Sequence, residues 1–188
     1  SDPYKVLVTE KLLQQTGFGH VRKVWEKFFQ KFPCAEELAK ATEDEIATVL
    51  KPLGLWRQRA RQLKRLAEEI VARHGGKVPC DYDSLVELPG VGDYVARATL
   101  AFACDKPTYL LDVNTRKVVK RFFYYPRGAG DKEVAGVLEL ATPKDPAECK
   151  LFNWGVIDFS ALVCSRKPKC DKCPLKEECS YYLYTSTG

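Results

Sequence analysis

The chain has 188 residues, 45% of them hydrophobic and 29% charged, which suits one compact domain or two small ones sharing a core and excludes a disordered tail. No apolar run approaches the ~20 residues of a membrane helix, and Lys5, Glu10 and Lys11 interrupt the opening apolar stretch, so neither a membrane partner nor a signal peptide is expected. Thirty basic against twenty-five acidic residues leave a net charge of +5, which permits a polyanionic partner without requiring one.

From Pro3 to Phe102 apolar residues recur at spacings of three and four, and no segment alternates over a strand length, so the pattern predicts helices. They fall at 3–15, 19–31, 36–40, 43–50, 56–74 and 83–87, the last leading through a turn into 92–103. Gly17-Phe18-Gly19, Pro33, Pro52-Leu53-Gly54, Gly75-Gly76 and Pro89-Gly90 punctuate them. Further helices are predicted at 114–123, 131–141 and 147–163, the last running into a cluster of cysteines. The fold class is all-α. The chain opens Ser1-Asp2-Pro3 and contains no Met, so residues upstream of Ser1 are expected to be missing.

Glu10 is the most telling acid of the first helix. Positions 6, 7, 10 and 13 share one face with Val6, Leu7 and Leu13, and burial in that apolar stripe would raise the pKa of a carboxyl until it can donate a proton near neutral pH. The competing reading is a boundary Glu paired with an Arg. Gln14 and Gln15 follow within about a turn and suit a base-reading surface. Lys51, Arg57, Arg59, Arg61, Lys64 and Arg65 load one helix, and Arg116, Lys117, Lys120 and Arg121 another; each run is either a solvated face or a phosphate-binding face.

Leu88-Pro89-Gly90-Val91-Gly92 lies between two helical segments. Two glycines so close allow a sharp turn whose amides form an anion seat at a helix start, suited to a DNA phosphate, or an ordinary tight connection. Asp112 precedes Val113-Asn114-Thr115-Arg116, where it serves as an N-cap or as an oriented carboxylate able to stabilise a cationic sugar centre. His20 and His74 read as surface or helix-end residues.

Of eight cysteines, Cys34, Cys80, Cys104 and Cys149 are scattered and read as separate small core or surface residues. Cys164, Cys170, Cys173 and Cys179 form a C-x5-C-x2-C-x5-C pattern, which favours a metal site in a reducing, intracellular compartment over a disulfide scaffold. Four thiolates hold either zinc or an iron–sulfur cluster, and one C-x2-C knuckle between two longer arms tilts the choice toward the cluster. Arg166, Lys167, Lys169 and Lys172 give the loop a cationic rim that could touch DNA.

The Leu-Pro-Gly-Val-Gly string at 88–92, Asp112 twenty residues beyond Gly92 and the terminal cysteine loop together resemble the helix-hairpin-helix DNA glycosylases of the endonuclease III and MutY superfamily. The resemblance implies a six-helix barrel module over 3–106, a second helical module over 107–188 carrying a 4Fe-4S cluster, and an active-site cleft between them. It implies double-stranded DNA as partner, a monomer, Asp112 as the essential aspartate, and the hairpin residues Leu88, Gly90, Val91 and Gly92 as phosphate anchor. Gln15 and Leu55 match the positions that fill the space vacated by a flipped base, and Asn114, Lys167 and Lys169 join them as DNA contacts.

Where endonuclease III enzymes carry a Schiff-base lysine, this chain has Tyr94, and a phenol cannot form an imine. Tyr94 is like the thymine-DNA mismatch glycosylases and some MutY enzymes. Phe152-Asn153-Trp154-Gly155-Val156-Ile157-Asp158-Phe159-Ser160-Ala161 looks closest to the thymine group, and nine residues follow Cys179 where MutY enzymes usually continue into a second domain. The expected activity is removal of thymine or uracil opposite guanine, with Glu10, Tyr94 and Asp112 catalytic and no strand-cleaving lyase step. An adenine glycosylase, a noncatalytic DNA-binding module and a zinc-binding interaction protein are the alternatives. The first cysteine interval, five residues where the family usually has six, is a departure.

Overall fold

Asp2, Thr42, Asp81, Asp112 and Asp145 each start a helix by accepting backbone N–H bonds from the first turn, which satisfies amides that have no intrahelical partner. Proline follows at the first position of two of these helices, Pro3 and Pro146, where its missing N–H costs nothing. A computed structural model describes residues 1–186, and the described residues contain helices and turns with no strand. No helix among them is long and apolar enough to cross a membrane.

The chain divides into two compact units, Ser1–Lys106 and Pro107–Gly188. The first holds α1 (Pro3–Leu13), α2 (Phe18–Lys31), α3 (Ala35–Lys40), α4 (Glu43–Leu50), α5 (Trp56–His74), α6 (Tyr82–Glu87) and α7 (Asp93–Ala103). α5 packs against α3 and α4, and α1 against α7. Phe28, Phe32, Leu7, Leu12, Ile46, Leu50, Leu63 and Leu85 are fully buried between them, each contributing roughly 1.5–3 kcal/mol from apolar burial. Gly75 ends α5 in the left-handed conformation, its N–H bonded to the carbonyls of Ile70 and Val71, as a C-terminal glycine does.

The second unit holds α8 (Val113–Phe123), α9 (Asp131–Ala141), α10 (Pro146–Leu162), two short 3₁₀ turns (Cys170–Lys172 and Lys176–Glu178) and α11 (Ser180–Ser186). α8 packs against α9, α10 and α11. Its apolar centre is small, with Val119, Val134 and Leu138 buried.

Three expectations need correction. The first predicted helix runs to 15, but α1 stops at Leu13 because Gln15 takes a left-handed backbone, φ 57°. The core face of α1 is Tyr4, Leu7, Val8, Lys11 and Leu12; the stripe through Val6, Glu10 and Leu13 flanks it and is half-buried. Cys80 and Cys104 are not separate residues but a disulfide that joins the chain just before α6 to the residue that ends α7.

Candidate functional site

In the first unit the hairpin between α6 and α7 is built as the turn requires. Gly90 sits at φ +70°, and a Cβ there would come 2.9 Å from the Lys11 ammonium nitrogen, so glycine is needed for both backbone and space. Leu88 and Val91 are buried in the core, and the Val91 N–H donates to the Leu88 carbonyl at 3.1 Å. Their side chains therefore serve the fold, and that amide is spent inside the turn. The exposed parts are Gly90 and Gly92. Gly92 starts α7 without a side-chain cap, and the first intrahelical bond runs from Ala96 N–H to its carbonyl. The first-turn amides of α7 thus have no side-chain cap, the condition that an anion seat at a helix start requires. Asp93 is turned away toward the Tyr82 hydroxyl and Arg97, each at 2.8 Å.

Glu10 has no ion-pair or hydrogen-bond partner among the described residues, so the Arg-paired reading does not hold. Burial alone pushes its carboxyl up to about 7, because no cation offsets the loss of water. Tyr94 is half-buried in the first turn of α7, packed against the core of this unit. Gln15 and Leu55 both adopt left-handed backbone, φ 57° and 56°, and line one cavity with Thr16, His20, Gly54 and Arg59. Leu55 is 61% exposed and stands at the N-cap of α5. A cap position that prefers Ser or Asp is given to an exposed leucine, in a conformation that costs a non-glycine residue about 1–3 kcal/mol. Such a combination marks a residue kept for what it touches.

In the second unit the Asp112 carboxylate is clamped. Oδ1 accepts from the backbone N–H groups of Asn114 and Thr115 at 2.9 and 2.8 Å, and Oδ2 from the Asn114 amide at 2.8 Å. The N-cap and the oriented carboxylate expected as alternatives are one and the same arrangement. α10 supports it from outside. Ser160 Oγ donates to Asn114 Oδ1 at 3.2 Å, and the fully buried Asn153 donates to the Thr108 carbonyl and accepts from Leu110 N–H. Asn153 and Ser160, 1% and 0% exposed, thereby pin both approaches to Asp112. The sequence marked both within the segment 152–161 that resembles the thymine glycosylases, without showing what either holds.

Cys164, Cys170, Cys173 and Cys179 line one cavity, walled by Val118, Phe122, Phe159 and Leu175. Burial and the other three thiols push the Cys170 thiol up, as expected where sulfurs converge. Arg121 donates to the carbonyls of Ser165 and Cys164 and to the Cys164 sulfur, while Lys167 and Lys169 are exposed beside the loop. Among the described residues no group of three or more His, Cys, Asp or Glu is arranged to hold a metal ion.

Several cations of the basic runs already have partners within the protein. Arg59 is buried, Lys64 donates to the carbonyls of Ala39 and Ala41, each at 2.8 Å, and Arg61 pairs with Glu43 at 3.6 Å. Arg116 forks onto Asp131 at 2.7 and 2.8 Å, and Lys117 reaches the Ser160 carbonyl. Lys51, Arg57, Arg61 and Arg65 are exposed on the first run. Sequence reasoning missed that Lys11 and Arg59 are interior cations.

A model of the HhH-GPD superfamily of base excision DNA repair proteins matches residues 8–144. The thymine/uracil-DNA glycosylase of Methanothermobacter thermautotrophicus is 41% identical over 99% of this chain and 85% of its own length. Among solved structures, a thermostable thymine-DNA glycosylase superposes with a TM-score of 0.92 at 41% identity, covering 97% of this chain and 85% of that one. A trapped endonuclease III–DNA covalent intermediate superposes at 0.86 with 26% identity, covering 99% and 87%. A glycine hairpin, a clamped aspartate and a family match over most of the chain converge: this chain belongs to the HhH-GPD superfamily of base excision DNA repair proteins.

Proposed function

We propose that this protein is a DNA N-glycosylase that removes thymine or uracil lying opposite guanine, by hydrolysis. The observation that carries the reading is its likeness, over nearly the whole chain, to a thymine/uracil-DNA glycosylase. Exposed cations and the α7 amides bind phosphate, so affinity falls as salt rises. A G·T or G·U pair, weaker than a Watson–Crick pair, lets the target nucleotide rotate out of the stack at lower cost. Leu55 and Gln15 fill the space it leaves.

The glycosidic bond then breaks toward the base, and positive charge develops on the sugar. The Asp112 carboxylate, held in one orientation by three N–H donors, stabilises that charge without reorganising, a contribution that costs ~10²–10³ in rate when comparable groups are removed. Glu10, with its pKa raised to about 7 by burial, carries a proton near neutral pH and gives it to the departing pyrimidine. Tyr94 packs on the nucleotide and offers no amine, so water completes the reaction and an abasic site remains.

We propose further that Cys164, Cys170, Cys173 and Cys179 hold a 4Fe-4S cluster, a reading supported by the resemblance to endonuclease III. The four cysteines line one apolar-walled cavity without being drawn around a single ion, and four thiolates are the ligand set that such a cluster takes. Bound there it would supply a cross-link that orders the loop bearing Lys167 and Lys169. Iron and acid-labile sulfide near four of each per chain in anaerobically purified protein are expected; stoichiometric zinc without iron overturns the assignment.

The activity is tested with labelled duplexes carrying G·T, G·U or 8-oxoguanine·A, with and without alkali. Alkali-revealed breaks at G·T and G·U are expected. Asp112→Asn, which keeps the cap, should lose most base removal and bind within a few-fold of the parent. Breaks confined to the 8-oxoguanine·A duplex would reassign the protein as an adenine glycosylase.

A further inference from the structure

Gln15 and Leu55, forty residues apart in the chain, are the two exposed left-handed residues at one cavity, and a single interior side chain is bonded beside both. Arg59 Nη2 donates to the Gln14 carbonyl at 2.8 Å and to Thr16 Oγ1 at 2.6 Å, bracketing Gln15 from either side. Nη1 donates to the Leu12 carbonyl at 3.2 Å. Nε donates to the Gly54 carbonyl at 2.8 Å, and the backbone N–H of the same residue donates to the Leu55 carbonyl at 2.9 Å. No carboxylate pairs with this guanidinium among the described residues.

An interior cation of this kind is a poor device for stability alone, since apolar residues of similar volume often do as well. What an arginine provides is a planar fork with fixed donor directions, which a lysine or an aliphatic chain does not reproduce. Here the fork faces the end of α1 and its Nε the turn before α5. A probe that enters a duplex must push against base stacking, and a turn free to yield would relax instead of displacing the base.

We infer that Arg59 is a positioning residue for base extrusion, whose guanidinium locks the Gln15 turn and the Leu55 turn into one rigid probe. The inference rests on the glycosylase reading given above, and it assigns Arg59 no contact with the reacting atoms. Arg59 acts through Leu55 and Gln15, so its loss should matter only while those side chains are there to be held.

The test is a double-mutant cycle on G·U duplex, read as the single-turnover rate of base removal and as the fluorescence rise of 2-aminopurine placed beside the target. Arg59→Lys should slow the parent at least tenfold and cut the fluorescence rise, at temperatures where its melting curve shows it folded. In a background carrying both Gln15→Gly and Leu55→Gly the same substitution should change the rate by less than about threefold. Losses that multiply across the two backgrounds, or a silent Arg59→Lys, overturn the inference. If Arg59→Lys melts below the assay temperature, Thr16→Val removes one acceptor of the fork at a half-buried position, and the same cycle is run with it. A parent protein that raises the fluorescence yet leaves G·T and G·U intact overturns the substrate reading and not the role of Arg59.

Discussion

The ammonium of Lys11, 6% exposed, donates to the carbonyl of Gly90 at 2.6 Å and to Gln14 Oε1 at 3.0 Å. It joins the first helix to the Gly90 hairpin across 79 residues of sequence. Burial first and the nearby Arg59 second hold its pKa below the ordinary lysine value. Lys11→Met would leave the Gly90 carbonyl without this partner, at a cost of about 1–3 kcal/mol, partly offset because a buried charge is removed. The expected outcome is a lower urea midpoint and a weaker duplex affinity, by roughly 3–10-fold on the scale of one lost contact. Unchanged affinity in a folded variant would show that the hairpin holds its shape without the lysine.

Glu10 should make stability depend on pH with a defined sign. Its folded pKa, about 7, lies above the ordinary 4.5. Below 4.5 both states are protonated and nothing is lost; between the two values the unfolded state ionises while the folded state does not, so stability falls as pH rises and levels off above about 7. The loss reaches roughly 3 kcal/mol at most. Glu10→Gln should accordingly raise the melting temperature at pH 8 and leave it nearly unchanged at pH 4. If Glu10 also protonates the departing base, the parent's rate of base removal should decline above neutrality, and the Gln variant should be slow throughout. A Gln variant with the parent's rate at every pH removes Glu10 from the chemistry.

Tyr94 is the residue on which the expectation of no lyase step rests. The parent should give products visible only after alkali and no borohydride-trapped complex, whereas Tyr94→Lys introduces an amine at the start of α7 and should gain both nicking and trapping even if base removal slows. Efficient trapping by the unmodified protein would mean that another lysine supplies the nucleophile.

Cys80 and Cys104 close a loop of 24 residues that contains the whole hairpin. Loop-closure entropy for that length is worth about 3 kcal/mol, or roughly 6–12 °C in melting temperature for a chain of this size. The paired Cys80→Ser and Cys104→Ala substitutions should lower the melting temperature by about that amount. A shift within 1 °C would show that packing of α6 and α7 holds the two ends together unaided.

Local chemistry determined much of this protein from the sequence. Apolar spacing and the caps Asp2, Thr42, Asp81, Asp112 and Asp145 set where helices begin, the two glycines at 90 and 92 set the hairpin, and the cysteine spacing marked one loop, because each depends on residues within a turn or two of one another. Which charges meet solvent was decided only by tertiary structure. Arg59 reaches carbonyls more than 40 residues away, Lys11 reaches Gly90, and Arg121 binds the cysteine loop 43 residues on; a lysine or arginine reads the same in sequence whether it will meet a phosphate or a buried carbonyl. The Cys80–Cys104 pairing and the hold of Asn153 on the segment before Asp112 were illegible for the same reason. Helical periodicity sets which face of a helix is buried, and long-range packing sets what the polar groups on that face will find there.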